Sequence, residues 1–181
     1  EIPRQTDEIR FAVGESATAA ADLASQLGDP PAEVAHCLGP LTVQEVASVY
    51  TFGGRVNDLE IDDDRTRIEW FTDEGDLGWA VELFRPDGTR INASDPLGGV
   101  LPIERCIRPD SVLRGSRARG RVGHNLLLCI EPTSCGQGLG SLLHEREECL
   151  YRRWGAQEIH LESACGALRK GTWFRRGFVM E

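Results

Sequence analysis

Residues 130–145 read IEPTSCGQGLGSLLHE, with glycine at 136, 138 and 140 between an apolar run and a segment of helical spacing. An α-helix begins with unpaired N–H groups and the positive end of its dipole. Glycine lets an anion approach that backbone because no Cβ stands in the way. The alternative is a purely steric strand-to-helix corner. The spacing fits neither the phosphate loop of nucleotide hydrolases, since no Lys-Ser or Lys-Thr follows the last glycine, nor a dinucleotide fingerprint early in a repeated parallel fold. A second group is RGSRARGR, residues 114–121, with four arginines in eight positions. Such a cluster can hold a phosphate, an anionic acceptor or an RNA backbone, or it can be an exposed loop. No aromatic residue interleaves with it, so stacking on bases is not indicated.

The elements around these residues follow from pattern. Residues 15–28, ESATAAADLASQLG, read as a helix stopped by glycine. PPAEVAHCLG and TVQEVASVYTF read as two short helices, the second capped by Thr42 with Glu45 three residues on. The expectation is a helical N-terminal region over 1–55. RIEWFT, GWAVELF and TRINA, separated by DEGD and RPDG, predict a three-stranded antiparallel meander over 66–94. Residues 95–121 lack periodicity and predict a long loop carrying Arg105, Arg108, Arg114, Arg117, Arg119 and Arg121. VGHNLLLCI suits a central strand covered on both faces. Beyond the glycines, Leu139, Leu142, Leu143, Leu150 and Trp154 make an apolar helical stripe. GAQEIHLES is a further strand, parallel to the one before the helix, and ALRKGTWFRRGF a closing helix. The fold class expected is α+β: an antiparallel meander followed by a βαβ unit.

Totals narrow the function. The 181 residues allow one domain with an appendage, and no stretch approaches the roughly 18 apolar residues of a membrane span. EIPRQTDEIR lacks the basic start and apolar run of a signal peptide. Six scattered cysteines form no Cys-x-x-Cys pair, so neither a zinc site nor a disulfide framework is expected. Reduced thiols of a cytoplasmic protein are the simpler reading. Residues 1–95 carry a net −13 and residues 96–181 a net +4. An acidic lobe argues against general nucleic-acid binding and suits a cationic substrate meeting an anionic co-substrate.

Residues 124–178 resemble the GNAT superfamily of acyl-CoA N-acyltransferases. The resemblance rests on LLLCIEPTSCGQGLGSLL, with Pro132 in the link and Gly138 and Gly140 at the family's paired glycines. EIHLES follows as the next strand, and TWFRRGF as the aromatic-x-x-x-Gly-Phe ending. Residues 56–181 would then be the acyltransferase domain. The resemblance implies acetyl-CoA, or another acyl-CoA, as co-substrate and no metal. The co-substrate's pyrophosphate would lie on the amides around Gly136, Gln137, Gly138, Leu139, Gly140 and Ser141, and its pantetheine arm along Cys129 and Ile130. Cys135 stands where the family usually has Arg or Gln. Trp173 stands at the usual Tyr acid and Gly166 at the usual Asn. The family also adds a strand after Gly-Phe. Here that strand would come from a longer chain, from the N-terminal region, or from a second protomer in a homodimer.

Acyl transfer to an amine needs the amine neutral, so a carboxylate or imidazole must accept its proton. Glu131, just past the apolar strand, is the first candidate base, with His124 on the same strand next. Glu162 and His160 on the following strand share a face by alternation. The function expected is acetyl transfer from acetyl-CoA to a cationic primary amine. The alternatives are a noncatalytic interaction module that keeps the fold, of a toxin- or phage-associated kind, and an RNA-binding protein using the Arg105–Arg121 segment.

Overall fold

A computed structural model of the chain describes residues 15–92, 110–116, 120–127 and 130–161. Helix α1 (Glu15–Leu27) ends at Gly28, whose φ of 67° continues no helix. A 3-10 turn over Ala35–Leu38 replaces the longer helix expected there, because Gly39 and Pro40 stop it after one turn. Helix α2 (Val43–Val49) opens with the expected capping box. The Glu45 N–H donates to the Thr42 hydroxyl at 3.1 Å, and the Thr42 N–H donates to the Glu45 carboxylate at 2.8 Å.

Two short strands not anticipated from sequence follow, β1 (Arg55–Val56) and β2 (Leu59–Glu60), paired antiparallel across Asn57 and Asp58. The main sheet then runs in the order β3 (Arg67–Asp73), β4 (Asp76–Glu82), β5 (Asp110–Ser116), β6 (Gly120–Leu127) and β7 (Ala156–Leu161). The first four are antiparallel neighbours, and β6 pairs parallel with β7. Helix α3 (Leu139–Trp154) is the crossover between them. The class is α+β, with the expected strand–helix–strand unit at its end. Glu74 and Gly75, at φ 51° and 85°, make the β3–β4 hairpin through two left-handed residues.

Two expectations change. The third strand of the meander is β5, not TRINA. Asn92 accounts for the difference. Its side-chain oxygen accepts from the Leu83 N–H, and its side-chain nitrogen donates to the Val81 carbonyl, both at 2.8 Å. TRINA does turn back antiparallel on the chain just past β4, through an Arg90–Phe84 bridge and the Ile91 N–H donating to the Leu83 carbonyl at 2.9 Å. The Asn92 side chain takes groups that further rungs would use, so the segment adds no strand to the sheet. The second change is β5 itself, inside the stretch expected to be a loop. SVLRGS has only two adjacent apolar residues and no alternation. Its conformation is set by partners on both sides rather than by its own pattern.

The helices and the sheet share one core. Val46, Val49 and Tyr50 of the α2 region are fully buried, in one cluster with Leu77, Trp79 and Val81 of β4 and with Leu139, Leu143, Leu150 and Tyr151 of α3. The expected stripe of α3 is buried, apart from a half-buried Leu142, and it is wider than expected because Glu147 and Tyr151 lie in it too. A short polar chain links the layers. The Trp79 indole donates to the Tyr50 hydroxyl at 2.7 Å, and that hydroxyl donates to Glu147 at 2.9 Å.

Candidate functional site

The carboxyl ends of β6 and β7 and the start of α3 come together at one end of the sheet. Beyond β6 the chain reaches Ile130, which bridges to Asn92, and the Glu131 N–H donates to the Ile91 carbonyl at 2.8 Å. The segment that closes β4 therefore also anchors the approach to the glycine turn. A single 3-10 turn over Pro132–Ser134 follows, and Arg85 holds it by donating to the Thr133 and Ser134 hydroxyls.

Gly136 and Gly138 both stand in the left-handed region, at φ 80° and 81°. Gly138 is the N-cap of α3, and the first bond of that helix runs from the Leu142 N–H to the Gly138 carbonyl at 3.0 Å. The amides of Leu139, Gly140 and Ser141 thus have no intrahelical partner, as at the start of any α-helix, and glycine at the cap supplies no side chain to take them. The turn is braced from outside by the β1–β2 hairpin. Asn57, itself at φ 52°, donates through its side chain to the Gln137 carbonyl at 2.6 Å, and the Asp58 N–H donates to the Gln137 side-chain oxygen at 3.3 Å. A Cβ on Gly138 would lie 3.3 Å from that Asn57 nitrogen, whereas one on Gly136 would meet open space. These braces were missed in the sequence. VNDLE carries the signal, since Asn-Asp between two apolar residues is a hairpin turn.

Of the expected co-substrate residues, Gly136, Gln137, Gly138, Leu139, Gly140 and Ser141 form the glycine turn and the start of α3, and Ile130 precedes them across the 3-10 turn. Leu139 is buried in the core, so only its backbone can serve a ligand. Cys129 and Glu162 lie outside the described residues, as do Trp173 and Gly166. Glu131 is half-buried at the head of the 3-10 turn. His124 lies further back on β6, one rung before the last that pairs with β7.

Alternation along β6 sorts its faces. A Cβ on Gly123 would meet the Tyr151 ring at 2.6 Å, and the Tyr151 hydroxyl donates to the Asn125 side chain at 2.8 Å, so 123 and 125 face α3. His124 therefore faces the other way. There the register pairs it with His160 of β7, the two rings meeting edge to face with centroids 6.4 Å apart. The His160 Nε2 is 2.9 Å from the Glu158 carboxylate, on the same face two residues earlier. Of the arginine cluster, Arg121 donates to the Trp154 carbonyl and lies over the indole of Trp154, which fixes the end of α3.

Among the described residues no three His, Cys, Asp or Glu side chains are placed to share a metal ion, and no helix is long and apolar enough to cross a membrane. No family model matches the chain, nor does any curated protein. Among solved structures, it is similar to an acetyltransferase from Trypanosoma brucei, at 17% identity over 92% of this chain and 87% of that one, with a TM-score of 0.41.

Proposed function

We propose that the protein is an acyl-CoA-dependent N-acyltransferase of the GNAT kind that transfers acetyl from acetyl-CoA to a cationic primary amine. The observation that carries this reading is the braced glycine turn. It combines two left-handed glycines, a helix start with open amides, and an outside hairpin that holds Gln137. Such a turn, at the carboxyl ends of two parallel strands, is where an α/β unit takes a phosphate-bearing ligand. Bound there, acetyl-CoA supplies an activated acyl group and a thiolate leaving group. The chain's part is to hold the pyrophosphate on the backbone amides from Gln137 to Ser141. It also accepts a proton from the ammonium of the acceptor. The acceptors offered by the sequence are Glu131 first and His124 next, with Glu162 and His160 after them.

The reading is tested by following thiol release from acetyl-CoA with spermidine, an aminoglycoside and a lysine peptide as acceptors. Release that depends on one of these amines is the expected result. A folded protein that binds acetyl-CoA and releases no thiol with any of them would instead favour the interaction module.

A further inference from the structure

The last rungs of the parallel β6–β7 ladder carry a group of titratable side chains that the reading above only half uses. His124 and His160 are direct partners across the two strands, and Glu158 is hydrogen-bonded to His160. All three project from the face of the sheet away from α3. His160 and Glu158 are each about half exposed, with 45% and 47% of their side-chain surface open. His160 is the last residue but one of β7, and the described pairing ends one rung further on, at Asn125 and Leu161. The histidines thus stand at the carboxyl ends of two parallel strands, the end at which α3 and its glycine turn begin. In open parallel α/β sheets ligands bind outside the corresponding strand ends, and β6 and β7 are the parallel pair of this sheet.

Building on the acyltransferase reading, we propose that His160 is a further catalytic residue, the proton acceptor for the amine. Glu158 is its positioning residue, and His124 is the neighbour that completes the site. An ionised carboxylate only accepts hydrogen bonds, so its bond to Nε2 requires the hydrogen on Nε2 and leaves the Nδ1 lone pair open. The ammonium gives one proton to Nδ1. The neutral nitrogen then forms a bond to the thioester carbonyl carbon, and the carbon–sulfur bond breaks with its electron pair on sulfur. The amide nitrogen loses its second proton as the thiolate gains one, and His160 returns the first to solvent. No metal, oxidant or reductant is needed for this balance.

Two measurements on the full chain test the assignment. In the first, diethylpyrocarbonate labelling is read by mass spectrometry at His124, His160 and the exposed His36. Acetyl-CoA should slow labelling of the first two and leave His36 unchanged. In the second, His160→Gln should lower kcat about 100-fold or more, the usual contribution of a general base, with the acetyl-CoA Kd unchanged. Added imidazole should restore part of that rate. Glu158→Gln should lower kcat by about tenfold without raising KM, and Glu158→Asp should recover some of it. A His160→Gln enzyme with wild-type kcat, above all beside a Glu131→Gln enzyme that has lost it, would overturn the assignment. Binding of acetyl-CoA with no protection at His160 would overturn it as well. If the wild-type chain does not bind acetyl-CoA, the acyltransferase reading itself fails and this assignment with it.

Discussion

At Gly138 the backbone stands at φ 81°, where a side chain costs about 1–3 kcal/mol in strain, and its Cβ would press on the Asn57 amide at 3.3 Å. Gly138→Val is therefore expected to lose acetyl-CoA affinity by more than tenfold while the helical signal in circular dichroism is retained. Undiminished affinity in calorimetry would remove the turn from the binding site. Asp63 offers a prediction on pH. Burial, the largest influence, raises its carboxyl above the ordinary 3.8, although the Phe52, Gly53 and Gly54 amides and the Arg146 cation favour the charge. The folded protein then holds this proton more tightly than the unfolded chain, so stability falls as pH rises from 3.8 through the raised folded value. Above that value the loss is complete and constant. Asp63→Asn should remove this component, so that urea unfolding free energies across the window decline less steeply than in the wild type. Superimposable slopes would show that Asp63 titrates alike in both states. At this scale the glycines could be read from sequence because their spacing is local. The Asn57 brace spans 80 residues, and the His124–His160 pair depends on strand register, which no local pattern displays.

Helix α3 touches β6 through Tyr151, whose ring lies where a Cβ of residue 123 would be, at 2.6 Å. Gly123→Ala must push that helix off the strand, and the overpacking should cost about 1–3 kcal/mol in thermal or urea unfolding. Because α3 starts at the glycine turn, acetyl-CoA affinity should fall with it. An alanine variant of wild-type stability would mean that Tyr151 has room to turn aside. The helices were legible because each carries its own stops and caps, from Gly28 to the Thr42–Glu45 box and Gly155. Strands β3 and β4 were legible through aromatic and branched residues on either side of a strong turn. β5 was not, since SVLRGS takes its conformation from β4 and β6, and TRINA misled because its backbone pairing is limited to the turn back at Phe84–Arg90, beyond which Asn92 closes β4 with its side chain.

Across the whole molecule the acidic N-terminal part and the α3 layer are built as one body. Tyr50 donates to Glu147, Arg146 donates to the Val49 and Thr51 carbonyls at 3.1 and 2.7 Å, and the Trp154 indole donates to the Cys37 carbonyl at 2.8 Å. Removing residues 1–54 would expose the apolar faces that Val46, Val49 and Tyr50 now cover and leave Glu147 without the Tyr50 hydroxyl. The truncated chain is expected to be insoluble, or to lose cooperative unfolding. A soluble, cooperatively unfolding fragment would show that the sheet and α3 fold alone. The charge division, net −13 over residues 1–95 and net +4 over the rest, was plain in composition. Composition did not show that both parts share a core. The measurement that bears most directly on the account is calorimetric titration of acetyl-CoA into the full chain, with coenzyme A and ATP alongside. Micromolar binding of both coenzyme A species, with ATP failing to bind, is the result predicted from the braced turn. A folded chain that binds neither coenzyme A species would contradict it and reduce the three glycines to a corner between a strand and a helix.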